Sequence, residues 1–374
     1  MTASIAYLDC NASAPLLPGV REAIDAALQL TGNPSSVHRA GREVRRAVER
    51  GREAVAALVG ARPRDVVFTS GGTEANALAL AQAGDRSVAV SAIEHESVLL
   101  NAGDAVRLPV IPDGTLDLGA LKAWLAGIRR PAYLSLMLAN NETGVIQPVA
   151  EAARLAHKHG VLVHCDAAQA AGRVPVSWGD LGVDLMTVSA HKMGGPKGIG
   201  ALIAPGDIAT VPLFRGGGQE RGLRAGTENL PGIVGFGRAA ELAAAAWQSD
   251  RIEALRDDLE ARIGAGAPEA IVYGAAAARL SNTSCIGLPG AASEEQVIAL
   301  DLVGFCVSAG SACSSGKVTP SHVLGAMGHD AAAARSAIRV SLGPATTARD
   351  VEQFAKAWLT MRMALTGRAP AIAR

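Results

Sequence analysis

Lys192 follows an apolar run at 184–190 ("DLMTVSA"), and the turn-rich "MGGPKGIG" after it would hold its amine in one place. An amine fixed at a strand end suits covalent work on a carbonyl. Asp166 ends another apolar run, 160–167 ("GVLVHCDA"), with Gln169 three residues on. The glycine turn Gly71-Gly72-Thr73-Glu74 follows "DVVFTS" (65–70) and opens a helix whose N–H groups could hold a phosphate. Glu94-His95-Glu96 follows "SVAVSAI" (87–93), and Asn140-Asn141-Glu142 follows "AYLSLML" (132–138). Cys313 lies in "SAGSACSSGK" (308–317), among four serines and two glycines. That is the composition of a solvated arm rather than of a core, where free cysteines usually sit. A thiol on such an arm suits chemistry done at one point and delivered at another.

The elements that must position these residues alternate in type. The runs at 65–70, 87–93, 132–138, 160–167, 184–190 and 200–204 are near-continuously apolar, as strands covered on both faces are. Between them lie helical stretches such as "TEANALALAQA" and "PVAEAARLAHKHG", with Thr73 and Pro148 as starts and Gly160 as a stop. Such alternation predicts an α/β fold, a large domain with a mostly parallel central sheet flanked by helices. After an alanine-rich helix near 235–247 the pattern changes to a charged helix (250–262), short strands near 281–287 and 338–342, and a last helix near 347–364. This predicts a smaller α+β domain. The expected division is 14–248 for the large domain, with 1–13 and 249–374 forming the small one, which carries the cysteine loop at 308–317.

In α/β sheets, ligands bind beyond the carboxyl ends of the strands. Each polar cluster alone has a plain explanation as a turn, a cap or a solvated face. Together at one sheet edge they are hard to explain as packing. A lysine, an aspartate on a separate strand and a phosphate cradle are the parts of a pyridoxal phosphate site. The lysine gives the Schiff base, the aspartate keeps the pyridine nitrogen protonated, and the helix N-terminus holds the phosphate. Rival motifs fail. "GGPKGIG" lacks the P-loop spacing, and "GGGQERG" has Arg221 where a dinucleotide fingerprint needs glycine. His157, His159, His164 and Cys165 have no zinc spacing, and no metal site is expected.

At 374 residues, with 49% hydrophobic and 19% charged residues, the chain has the composition of a globular protein. Thirty-five basic residues balance thirty-five acidic ones, so neither nucleic acid nor an anionic membrane is an expected partner. No stretch is long and apolar enough for a membrane span, and the first residues do not read as a signal peptide. Five scattered cysteines do not form a disulfide framework, and a cytoplasmic protein with reduced thiols is expected.

The chain resembles the cysteine desulfurases of the NifS/IscS type, relatives of the class V aminotransferases with pyridoxal phosphate fold type I. The resemblance rests on "YLDCNASAP" (7–15), "GNPSSVHRAG" (32–41), "SGGTEANALA" (70–79), "IEHESVL" (93–99), "NNETGVIQP" (140–148), "CDAAQAAG" (165–172), "SAHKMGGPKGIGAL" (189–202), "RGGGQERGLRAGTENL" (215–230), "SAGSACSSG" (308–316) and "IRVSLG" (338–343). The long cysteine loop separates this group from the selenocysteine-lyase-like one. The resemblance implies that Lys192 carries the cofactor and Asp166 meets its pyridine nitrogen. His95 would stack on the ring, Gln169 would bond its phenolic oxygen, and Asn141 would lie near it. Gly72, Thr73, Ser189 and His191 would surround the phosphate, joined by Thr227 of the facing subunit in a homodimer with shared sites. Arg339 would clamp the substrate carboxylate beside Asn33. Cys313 would take sulfur from L-cysteine as a persulfide, leaving alanine, with the cofactor and His95 as acceptors of its proton. It would pass that sulfur to an iron–sulfur scaffold or another acceptor protein, where it would contact a nascent cluster as cargo. Two rival readings remain. Another class V enzyme would keep Lys192 and Asp166 without needing the long loop, and a non-catalytic relative would have lost Lys192 or Cys313. The chain stops soon after its last helix, at "TGRAPAIAR", so which acceptor it serves stays open.

Overall fold

A computed structural model describes residues 5–128, 131–208, 210–310 and 319–367. Its strands, in chain order, are β1 (Ala6–Tyr7), β2 (Val66–Thr69), β3 (Ser87–Ser91), β4 (Val106–Leu108), β5 (Ala132–Met137), β6 (Val161–Asp166), β7 (Leu185–Ser189), β8 (Gly200–Ile203), β9 (Ile271–Tyr273), β10 (Thr283–Gly287), β11 (Phe305–Cys306), β12 (Ser308–Ala309) and β13 (Ala337–Ser341). Seven of them form the central sheet in the order β2-β8-β7-β6-β5-β3-β4. The inner strands β5 and β7 are buried at every position, which is why they read as unbroken apolar runs.

All six runs assigned from sequence are strands of this sheet. The edge strand β4 has no such signature, because two of its three residues are exposed. The sheet is mostly parallel, but β8 runs antiparallel to both neighbours, β2 and β7. β8 follows β7 after only the tight "HKMGGPKGI" return, too short for a crossover helix, so it must come back antiparallel.

Helices cover both faces. The first two, α1 (Val20–Leu28) and α2 (Arg39–Leu58), precede the sheet and were not assigned from sequence. Buried Val44, Val48, Gly51 and Val55 mark the inward face of α2, which packs on helix Leu230–Trp247. The approach is close: a Cβ on Gly237 would lie 2.7 Å from the Gly51 backbone. Two further helices, α3 (Gly72–Ala81) and α4 (Glu96–Leu99), start at the ends of β2 and β3 and carry site residues.

A second, four-stranded antiparallel sheet has the order β12-β13-β10-β9 and is packed by helices Ser249–Gly266 and Ser293–Asp301, with helix Ala348–Thr366 packed on both of these helices. The start of the chain joins this part, since β1 pairs in parallel with β11. Asp9 then bridges to Ser341 of β13.

Candidate active site

The turn between β2 and α3 requires glycine. Gly71 has φ 155° and ψ 179°, a region essentially closed to side-chain-bearing residues. Gly200 on the neighbouring strand comes so near that a Cβ there would lie 2.7 Å from the Gly71 carbonyl carbon. This packing sets Gly72 and Thr73 on the wall of a cavity of about 220 Å³ at the carboxyl edge of the sheet. Nine of the expected cofactor residues line that cavity: Gly72, Thr73, His95, Asn141, Asp166, Gln169, Ser189, His191 and Lys192.

Each arrives by a strand end. Asp166 is the last residue of β6, and its carboxylate accepts from Asn76 Nδ2 at 2.7 Å and from the Ala168 N–H at 2.9 Å. Ser189 ends β7, and its buried hydroxyl has no hydrogen-bond partner among the described residues. His191 and Lys192 lie in the single 3-10 turn that follows. Burial, reinforced by the nearby Lys192, Arg173 and Lys197 charges, holds His191 down at about 4, so its imidazole is neutral at neutral pH. Lys192 Nζ donates to the carbonyls of Asn11 at 2.5 Å and Ala12 at 3.2 Å.

His95 caps α4, its Nδ1 accepting from the Ser97 N–H at 3.1 Å and meeting Ser97 Oγ at 2.7 Å. Burial keeps its pKa below the usual histidine value, although Asp166 pulls the other way.

Behind Lys192 lies a network that sequence reasoning missed. The buried Arg173 guanidinium donates to the Lys192 carbonyl at 2.8 and 3.2 Å, to Asn11 Oδ1 at 2.6 Å, to Gln169 Oε1 at 2.7 Å and to the Cys10 carbonyl at 2.9 Å. It stacks on Trp247 with 4.6 Å from Cζ to the ring centre. Burial lowers its pKa to about 10, still charged at neutral pH. Because Arg173 claims Gln169 Oε1, the amide presents Nε2 outward, donating to the Asn11 carbonyl at 3.0 Å. Asn11 is thus the joint between Lys192, Gln169 and Arg173. Its own Nδ2 reaches the Asn141 carbonyl at 3.1 Å and Thr283 at 2.9 Å. These partners lie 130 and 272 residues away in sequence, so no local signal could have found them. Asn76 was missed as well, although it lies four residues after Gly72 on α3, on the same helix face, a spacing that could have found it.

The other expected residues stand apart from the cavity wall. Arg339 on β13 is buried, donates to Asp9 at 2.7 Å and to the Asn141 carbonyl at 3.1 Å, and leaves Nε without a partner among the described residues. Asn33 is exposed and accepts from the Ser35 N–H. Thr227 is exposed, although Arg224 nearby is tied by Glu74 at 3.0 Å to the first turn of α3. Cys313 lies outside the described residues. Three of the other cysteines, Cys10, Cys165 and Cys285, are buried, and burial raises all three thiols. Cys165 is an interior strand residue.

The donor set fits pyridoxal phosphate. A buried hydroxyl without a partner among the described residues and a helix N-terminus suit the phosphate, a carboxylate suits the pyridine nitrogen, and a lysine lines the same cavity. With that geometry, the sequence family is decisive. The family described as "Aminotransferase class-V" matches residues 6–354, and this chain is an enzyme that belongs to it. A cysteine desulfurase of Cereibacter sphaeroides is 46% identical over 366 residues, covering 93% of each chain. The "IscS-like cysteine desulfurase" of Mycobacterium tuberculosis is 39% identical, covering 93% of this chain and 94% of its own. Among solved structures, a NifS-like protein from Rickettsia africae superposes with a TM-score of 0.89 at 35% identity, covering 96% of this chain and 99% of its own. The fold is therefore that of the NifS-like proteins. No helix among the described residues is long and apolar enough to cross a membrane.

Proposed function

We propose that this chain is a cysteine desulfurase: L-cysteine and the Cys313 thiol give L-alanine and a Cys313 persulfide. One observation carries the reading. Lys192, Asp166, His95 and the first residues of α3 line a single cavity whose wall includes the Ser189 hydroxyl, which has no partner among the described residues. Pyridoxal phosphate, when bound, supplies the electron sink that makes the substrate's sulfur transferable.

The chain's own residues do the rest. Ser189, Thr73 and the neutral His191 offer donors to the phosphate, and Asp166 offers its carboxylate to the ring nitrogen. Lys192 would hold the cofactor covalently at rest, and its amine, when free, would move the α-proton. Its resting carbonyl contacts at Asn11 and Ala12 supply a dock for the freed amine. Gln169, with its amide orientation fixed by Arg173, presents a donor edge. Arg339 recognises the substrate carboxylate, a pairing for which a guanidinium fork is suited, and Asn33 lies beside it in the working assembly. In that exchange the Arg339–Asp9 contact must be shared or released. The large domain, 14–248, holds the cofactor. The remainder, 1–13 and 249–374, brings Arg339 and Cys313.

Two copies complete the site, Thr227 of each reaching the phosphate of the other, which accounts for its exposure in a single chain. The cytoplasm is the expected location, and the persulfide is handed to an iron–sulfur scaffold or another sulfur-acceptor protein. The test is sulfide release from L-cysteine with a thiol reductant. Lys192→Ala and Cys313→Ser should each abolish it, and mass spectrometry should find one added sulfur on the peptide containing "SACSSGK". Sulfur on Cys165 or Cys306 instead, or full activity in Cys313→Ser, would refute the mechanism.

A further inference from the structure

The cavity wall contains a chain of hydrogen bonds whose direction is fixed at one end. Asp166 Oδ2 accepts from Asn76 Nδ2 at 2.7 Å. A carboxylate can only accept, so the Asn76 amide must turn its NH2 toward Asp166. The same nitrogen sits 2.9 Å from Ser97 Oγ, so the second amide hydrogen goes to that oxygen. Asn76 Oδ1 is left buried with no partner among the described residues, a cost that shows the amide is held this way round by what it faces. Ser97 Oγ accepts from Asn76 and lies 2.7 Å from His95 Nδ1. The Ser97 backbone N–H, which can only donate, gives its hydrogen to that nitrogen at 3.1 Å, so Nδ1 is an acceptor and the Ser97 hydroxyl turns its hydrogen to it as well. Two donors converge on Nδ1.

We infer that Asn76 and Ser97 are positioning residues that transmit the Asp166 carboxylate to His95 and lock its imidazole in the form protonated on Nε2. The inference deepens the desulfurase reading and rests on it for its catalytic meaning, but the ring assignment stands on the geometry alone. With Nδ1 sealed, His95 faces the chemistry as a neutral Nε2–H donor. Charging the ring would put a proton on Nδ1, break the contact with the Ser97 N–H and force the Ser97 hydroxyl to turn round, in keeping with a pKa held down by burial. This reverses the direction expected from sequence, where His95 was an acceptor for the Cys313 proton. A neutral ring that surrendered its Nε2 proton would be left as an imidazolate, so in this form His95 offers the reacting sulfur a hydrogen bond from Nε2–H, and the Cys313 proton goes to another acceptor.

The groups that bear on the ring are Asp166 and Glu96, which favour its charged form, and Lys192 and His322, which oppose it. Ser97→Ala leaves all four in place. The experiment is nitrogen-15 NMR of ring-labelled histidines in the pyridoxal phosphate-loaded protein at pH 8, with the His95 signals identified by their loss in His95→Ala. Wild type should show Nε2 protonated and Nδ1 bare. Ser97→Ala should shift the tautomer ratio toward Nδ1–H about fivefold, the worth of one hydrogen bond of about 1 kcal/mol. It should also move the acid limb of the activity–pH profile upward, and Ser97→Thr, which keeps the hydroxyl, should restore both. A wild-type His95 protonated on Nδ1, or a ratio unmoved in Ser97→Ala, overturns the inference. Wild type lacking desulfurase activity yet showing the Nε2–H ring would overturn the functional reading and leave this wiring intact.

Discussion

Replacing Glu142 by glutamine should stabilise the protein at alkaline pH and not at acid pH. Glu142 follows the end of β5 and is 2% exposed, its Oε2 accepting from Ser321 Oγ at 2.6 Å. Gly310 presses on the same oxygen: a Cβ there would lie 2.9 Å from it. Burial pushes its pKa from 4.5 to about 7, with the Ser321 hydrogen bond and the Arg339 charge only partly offsetting this. The native state thus keeps this proton over a pH range in which the unfolded chain releases it, so stability falls as pH rises from about 4.5 to about 7. At about 1.4 kcal/mol for each pH unit, the ionised carboxylate costs about 3 kcal/mol above that range. Glutamine keeps the oxygen that Ser321 donates to and cannot ionise. Urea unfolding of both proteins, at one protein concentration and a series of pH values, isolates the effect because every other titration is common to both. The advantage of Glu142→Gln over wild type should grow by about 3 kcal/mol between acid and alkaline limits. A constant packing difference would shift the two curves without changing their relative slope. Curves that stay parallel through neutral pH, or diverge with the opposite sign, would refute the reasoning.

Arg173→Met should strip donors from four buried acceptors and destabilise the protein by about 3 kcal/mol, read by urea unfolding. Arg173→Lys keeps the charge but not the fork, and should weaken pyridoxal phosphate binding about tenfold in a fluorescence titration, where an unchanged affinity would show that the network does not position the site. Mixing inactive Lys192→Ala chains with inactive Thr227→Ala chains should restore part of the sulfide release, since some mixed dimers would hold one intact composite site. No restoration, or normal cofactor binding by Thr227→Ala alone, would count against shared sites.

The sequence by itself determined the sheet and the reactive groups at its edge. Strands buried on both faces must be apolar throughout, and polar residues directly after them must fall at the strand ends, where such sheets bind ligands. That is why Lys192, Asp166, His95 and the Gly71–Gly72 turn were legible before any fold was known. The antiparallel return of β8 was not, because its composition matches that of its parallel neighbours and only hydrogen bonding reveals direction. Nor was the pairing of β1 with β11, two residues on each side, too short for any periodicity. Tertiary structure alone decided which groups hold the reactive ones. Asn11 meets Lys192 across 181 residues and Arg173 across 162, and Asp9 meets Arg339 across 330. Side-chain type and local spacing encode what a residue can do, whereas the direction of a hydrogen bond depends on the partner that folding brings to it. The Asp166–Asn76–Ser97–His95 chain shows the difference: its four members come from three separate elements, and the placement of one proton on His95 follows only once all four are in contact.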